Sequence, residues 1–333
     1  MRLHSRLSAL PLSLAALVAL LLPAFTAAQD WKPSKPVLYT VPAGPGGALD
    51  QAARMVKAIA ERRNLLDKPL LVENRPAGAG RIALAPLEQN PGDPHFLTVI
   101  TYSLLTNHIA GNLPLGHNDY QPIAILFGEY VTLSVRAESP VKDGRDLIER
   151  YRANPGSMTI GVATSLGNHI HVGAAKPLQA AGVDISKITV VPFKSSQESL
   201  ANMLGGHLDV MASTTPNVLT QMKAGRIRVL AVASPTRLGG EFSSIPTWRE
   251  LGVKDGVYNS AQGVMTSKGI PAAALRFWEG FFKAVTSDPE WIQFVESRQW
   301  SPRFLDSAQT QRELDSEYAD TLKILTALGL AKR

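Results

Sequence analysis

Residues 36–41 form an extended apolar run, and after a glycine- and proline-rich stretch Ala52, Met55, Val56, Ile59 and Ala60 recur at the spacing of one helix face. The same change of period repeats along the chain. Strands are predicted over 69–73, 96–101, 122–127, 130–135, 158–162, 188–192, 208–212 and 228–233. Helices are predicted over 143–152, 168–181, 196–205 and 218–224. A further strand-like segment covers 259–265, and from Pro271 the pattern is helical to the end, with Leu314, Tyr318, Leu322, Leu325 and Leu328 in one apolar stripe read as core contact. Strands alternating with helices at these intervals predict an α/β fold of mostly parallel sheets covered on both faces. No repeat is visible, and no long polar linker divides the chain. Two lobes made by a chain that crosses over twice fit this pattern, with the crossings near residues 130 and 260.

At 333 residues, of which 45% are hydrophobic, the chain can fill two sizeable cores. Residues 1–28 read as an export signal: Arg2, His4 and Arg6 open it, 7–25 are almost wholly apolar, and Thr26-Ala27-Ala28 supplies small residues for cleavage. A soluble mature protein starting near residue 29, in the periplasm, is the expectation. The formal charge of +6 falls to +4 without Arg2 and Arg6, and no block of basic residues marks a nucleic-acid partner. With no cysteine there is no disulfide, thiolate nucleophile or thiolate-bound metal.

The chemistry of the chain is concentrated in strand-to-helix turns. In Val41-Pro42-Ala43-Gly44-Pro45-Gly46-Gly47, prolines restrict the backbone and glycines let it approach a ligand, and the helix that follows opens with free N–H groups and the positive end of its dipole. That is an anion site; the alternative is a tight βα turn and nothing more. Asp50, in the first helical turn, reads first as a dipole-stabilising carboxylate and second as a ligand contact. A second turn, Ala163-Thr164-Ser165-Leu166-Gly167-Asn168, places hydroxyls and an amide before another helix. If the two turns face one another across a cleft, they make a clamp for a carboxylate. Tyr102, Lys194 and Thr214, each near a strand end, are candidates to complete the pocket. The run over Gly78, Gly80 and Ala83 is a poor dinucleotide fingerprint, because Asn74-Arg75-Pro76 separates strand from glycines. His169 and His171 have no nearby carboxylate and make a poor metal site, so neither metal nor cofactor is expected. An enzyme reading takes Ser165 as a nucleophile with Asp184 or Asp209 and His207; it lacks a complete nucleophile elbow and an oxyanion element.

The motifs also carry a resemblance. Asp30-Trp31-Lys32-Pro33, the first turn with Asp50, Glu73-Asn74-Arg75-Pro76, Asn154-Pro155-Gly156, Pro192-Phe193-Lys194, the run 204–211, Lys223-Ala224-Gly225-Arg226 and Ile245-Pro246-Thr247-Trp248 together resemble the Bug/TctC family. These are substrate-binding proteins of tripartite tricarboxylate transport systems, and the resemblance runs over residues 30–330. It implies a two-lobed type II periplasmic binding protein fold with the ligand cleft between lobes, no catalysis, and a monomer. The lobes would comprise 29–130 with 260–333, and 131–259. The implied ligand is a small organic anion gripped by Pro42, Ala43, Gly44, Gly46, Gly47 and Asp50 on one side and by Thr164, Ser165, Gly167 and Asn168 on the other. Implied partners are inner-membrane transporter subunits or, if the protein signals instead, a membrane sensor. The chain departs from the family where the pocket is expected. Ala43 replaces the usual phenylalanine, the second turn is one residue longer and poorer in glycine, Ser195-Ser196 replaces glycine, and Ser260-Ala261-Gln262-Gly263 lacks the usual tryptophan.

Overall fold

The computed structural model describes residues 31–333, so the expected export signal over 1–28 lies outside the described residues. The first unit is β1 (Val37–Val41), α1 (Ala48–Arg62), β2 (Leu70–Asn74), a 3-10 turn at Gly78–Gly80, α2 (Arg81–Gln89), β3 (Phe96–Ile100) and α3 (Ser103–Ile109). One long strand, β4 (Tyr120–Arg136), leads from it into α4 (Gly144–Ala153), β5 (Thr159–Ala163), α5 (His169–Ala180), β6 (Thr189–Phe193), α6 (Ser196–Leu204), β7 (Val210–Thr214), α7 (Thr215–Lys223) and β8 (Ile227–Val232). The chain returns through β9 (Asn259–Ser267) to α8 (Ala272–Thr286), α9 (Pro289–Glu296), β10 (Ser301–Leu305) and α10 (Ser307–Ala327).

The strands form one ten-stranded sheet ordered β2-β1-β3-β9-β4-β7-β5-β6, with β8 and β10 also on β4. Parallel pairing, expected for most of the sheet, holds on the two flanks, where β1 joins β2 and β3 and where β5 joins β6 and β7. The centre is antiparallel, because β9 returns beside β4 and β3, and β7, β8 and β10 all run against β4. The separate strands expected over 122–127 and 130–135 are one element, since every residue of β4 from Pro122 to Val135 is buried and Gly128 and Glu129 between them pair with β9 like their neighbours. Gly128 supplies the close approach: a Cβ there would collide with the Asn259 amide of β9.

Two further differences concern short segments. The chain does not stay helical after Pro271; β10 intervenes, and Ser301 and Pro302 pair with Gly128 and Phe127 of β4. The short helix α3 was not expected either, because its apolar Leu104, Leu105 and Ile109 continue the preceding apolar strand without a change of composition. Helix α10 keeps its expected role, with Leu314 and Leu325 buried in the core that joins β4, β5 and α5. A second core lies under α1, α8 and α9, and a third between α6, α7 and β8.

Strand direction positions the site. Tyr130 pairs with Asn259 and Val131 with Thr214, so β4 changes neighbours from β9 to β7 between two consecutive residues. On the first flank the parallel strands run with β4, on the second against it. The carboxyl ends of β1 and β3 and those of β5 and β7 therefore converge on one seam at Glu129–Val131. Carboxyl ends of strands at such a switch of sheet order are where open α/β sheets take ligands.

Candidate functional site

The turn after β1 enters the seam as a braced loop. The Asp50 carboxylate accepts the Gly46 N–H at 2.8 Å and the Asn74 amide at 2.9 Å, and Arg54 pairs with it at 2.9 Å. Burial pushes its pKa up, but these donors outweigh burial and hold it below the usual carboxylate range. Asn74 also donates to the Ala43 carbonyl at 3.1 Å, and the Gln51 amide donates to that of Gly46 at 2.7 Å. Asp50 is thus committed inside the loop. Gly46, at φ +77°, takes a left-handed turn that a side chain would strain. Gly47 caps α1 without any side-chain bond, and among the described residues no acceptor meets the N–H groups of Ala48, Leu49 and Asp50. The helix end is open, as an anion site requires.

The turn after β5 is built differently. Asn168 spends its whole side chain locally: its oxygen accepts the His171 N–H at 3.0 Å, and its nitrogen donates to the Ala163 carbonyl and to Thr164 Oγ1. Gly167 N–H donates to His171 Nδ1 at 2.9 Å, so His171 is structural, and burial lowers its pKa to about 4. What remains outward is the Ser165 hydroxyl and the exposed Leu166. Lys194 stands exposed beside this turn, because Thr164 N–H donates to the Phe193 carbonyl at 2.8 Å.

Contacts tie the two turns to one seam. Ser103 Oγ, at the start of α3, lies 3.2 Å from His169 Nδ1 at the start of α5. Asn107 of α3 donates to the Ala79 carbonyl, and Gly80 lies against Pro42 of the first turn. On the other flank Arg298 donates to Gln51 of α1 at 2.8 Å, while Thr215 of α7 donates to the neighbouring Gln299 carbonyl at 2.9 Å. Thr214 sits buried at the start of α7 and accepts from Asn217. Tyr102 does not line the opening: it is fully buried and donates to Glu313 of α10 at 3.1 Å. The structure therefore brings the Pro42–Gly47 backbone, Ser165, Lys194 and Thr214 to the seam region, and turns Asp50, Asn168 and Tyr102 to structural bonds.

Among the described residues no triad forms around Ser165. Asp209 is bonded to Thr159 at the opposite end of β5, at 2.8 and 3.0 Å, and Asp184 pairs with Lys187 and Ser186. One functional candidate was not foreseen. Glu129 is a lone carboxyl in the apolar strand β4; burial raises its pKa, and only Thr214 and Trp300 oppose the rise. Its signal in the sequence was that isolation.

A cavity of about 580 Å³ opens elsewhere, lined by Lys176, Asn259, Glu313, Glu317 and Asp320 among others. Within it Lys176 lies 3.1 Å from Asp320 and 3.7 Å from Glu317.

A family model described as the tripartite tricarboxylate transporter family receptor matches residues 53–330. The chain belongs to this family. It is 27% identical over 309 residues to the UPF0065 protein in the gbd 5' region of Cupriavidus necator, covering 92% of this chain and 91% of that protein. A TctC solute binding protein from Polaromonas superposes with a TM-score of 0.75 at 21% identity, over 88% of this chain and 99% of that one, so the two share a fold. R. palustris Rpa4515, solved with adipate, gives a TM-score of 0.73 at 25% identity, over 91% of this chain and 99% of that one. The family is one of periplasmic solute-binding proteins, and carboxylate ligands occur in its structural neighbours.

Proposed function

We propose that this protein is a periplasmic solute receptor that captures a small organic acid at the seam and hands it to the membrane subunits of a tripartite tricarboxylate-type transporter, with no catalytic step. The observation that carries the reading is the open N-terminus of α1, whose cap residue offers no side chain and whose first N–H groups have no acceptor among the described residues. Membership of the receptor family and the adipate held by Rpa4515 support a carboxylate as the ligand. In this reading the lobes are 29–130 with 260–333 and 131–259, and they close about β4 and β9, the two strands that cross the seam. The first turn, Pro42 to Gly47, grips the carboxylate. Ser165 and Lys194 meet the ligand from the second lobe, and the protein acts as a monomer.

The test is thermal unfolding of the chain from residue 29 against mono-, di- and tricarboxylates, aromatic acids, amino acids and neutral controls. A ligand at about 100 times its dissociation constant adds roughly 2.7 kcal/mol if it binds only the folded state. Stabilisation confined to acids, and its loss in Gly47→Asp, which sets a like charge at the open helix end, is the expected outcome. Stabilisation by a neutral compound alone, or undiminished acid binding in Gly47→Asp, overturns the carboxylate grip.

A further inference from the structure

Residues directly opposed in an antiparallel pair share a face of the sheet. Glu129 is opposed to Ser260, and Phe127 to Gln262, so Glu129, Ser260 and Gln262 point to one side of the seam. All three are buried, at 8%, 0% and 3% exposure. The Ser260 hydroxyl and the Gln262 carbonyl oxygen have no hydrogen-bond partner, and no cation pairs with Glu129 among the described residues. Trp300 stacks on Phe127 at 4.6 Å on this same side and turns its indole N–H toward Glu129, short of full hydrogen-bond geometry. From Trp300 the contacts lead back to the open end of α1: Arg298 lies 5.9 Å from the Trp300 ring, donates to Gln51, and Gln51 holds the Gly46 carbonyl.

A buried carboxyl without a cation, beside two unsatisfied polar groups, is costly unless something completes it. Most such groups in folded proteins find partners, and leaving a buried one without a partner costs its full desolvation penalty. We infer that the captured acid carries a second, cationic group, an ammonium, and that Glu129, Ser260 and Gln262 receive it while the first turn holds the carboxylate. The ligand class is therefore a zwitterionic amino acid or amino-substituted organic acid. This inference rests on the carboxylate reading above. An ammonium has three donors and no acceptor, which matches a site composed of a carboxylate, a hydroxyl and an amide oxygen. Binding of that cation would leave Glu129 ionised, as its carboxylate then has a partner in a low-dielectric site.

Matched pairs of ligands separate this inference from the reading beneath it. Isothermal calorimetry on the wild-type chain from residue 29 compares glutamate with glutarate, aspartate with succinate, and 4-aminobutyrate with butyrate. The expected result is that in at least one pair the amino member binds about tenfold tighter or more, the gain of a charge-assisted hydrogen bond. In Glu129→Gln that preference should shrink to about threefold or less. Wild-type binding of the unsubstituted acids as tightly as their amino partners overturns the ammonium site and leaves the carboxylate grip standing. Preference for the amino member that persists unchanged in a folded Glu129→Gln overturns the assignment to these residues. Failure of every acid, amino or not, overturns the carboxylate reading and this one with it. The wild-type comparison decides the ligand class even if Glu129→Gln does not fold.

Discussion

His171 shows how a residue that looks chemical serves the backbone. Its Nδ1 accepts the Gly167 N–H, which requires a neutral ring, and burial lowers its pKa to about 4. His169, 3.2 Å from Ser103, is lowered to about 4 by the same cause. A folded pKa below the unfolded value of about 6.5 means that the unfolded chain binds the proton first. The stability these rings contribute is complete above about pH 6.5 and is lost as pH falls toward 4, by up to about 3 kcal/mol for each ring. Urea unfolding at pH 7.5 and pH 5 should show His171→Gln losing less stability on acidification than wild type; an equal loss would mean that His171 is not the acid-sensitive group. Sequence reasoning missed Glu129. A pattern of apolar residues marks what is buried, but it cannot say which buried polar group has been left without a partner.

At the scale of elements, the long strand β4 is the part the periodicity described least well. A run of apolar residues reads the same whether it is one strand or two, and only the pairing with β9 at one end and with β7 and β8 at the other shows a single strand shared by both halves. Gly128 is where this strand and β9 press together, against the side chain of Asn259. Gly128→Ala should lower stability by about 1–3 kcal/mol, the cost of overpacking a tight site, and thermal unfolding of the ligand-free protein measures it. An unchanged melting temperature would mean that the crossing yields easily. The flanking helices were more legible, because α1, α4 and α5 each follow a strand after turn residues that change the hydrophobic period. β10 was not: its partner strand lies far away in the chain, and nothing local separates it from the helices around it.

Over the whole molecule, α10 joins what β4 and β9 divide. Its Glu313 takes the Tyr102 hydroxyl and, at 2.8 and 2.9 Å, the Arg303 guanidinium, while its Glu317 and Asp320 hold Lys176 of α5. Burial raises the Glu317 pKa to about 7, opposed by Lys176 and reinforced by Asp320 and Glu313. Here the sign is opposite to that of the histidines. A folded pKa above the unfolded value gives stability that is complete below about pH 4.5 and is lost as pH rises through about 7, by about 3 kcal/mol in all. Chemical unfolding across pH 4.5–8 should show a shallower loss toward alkaline pH in Glu317→Gln than in wild type. The same slope in both would assign the dependence elsewhere.

The alternation of strands and helices along most of the chain, the α/β class, the glycine turn after β1 and the family resemblance were readable from the sequence, because each depends on residues close together in the chain. The α1 helix end could be read as a candidate anion site for the same reason: glycine at the cap and the free N–H groups behind it are local properties. The meeting of the two turns at one seam depends on strand order and direction. So does the burial of Glu129 beside Ser260 and Gln262. Pairings between residues far apart in the chain decide these, and their energies come from contacts that no stretch of sequence contains by itself.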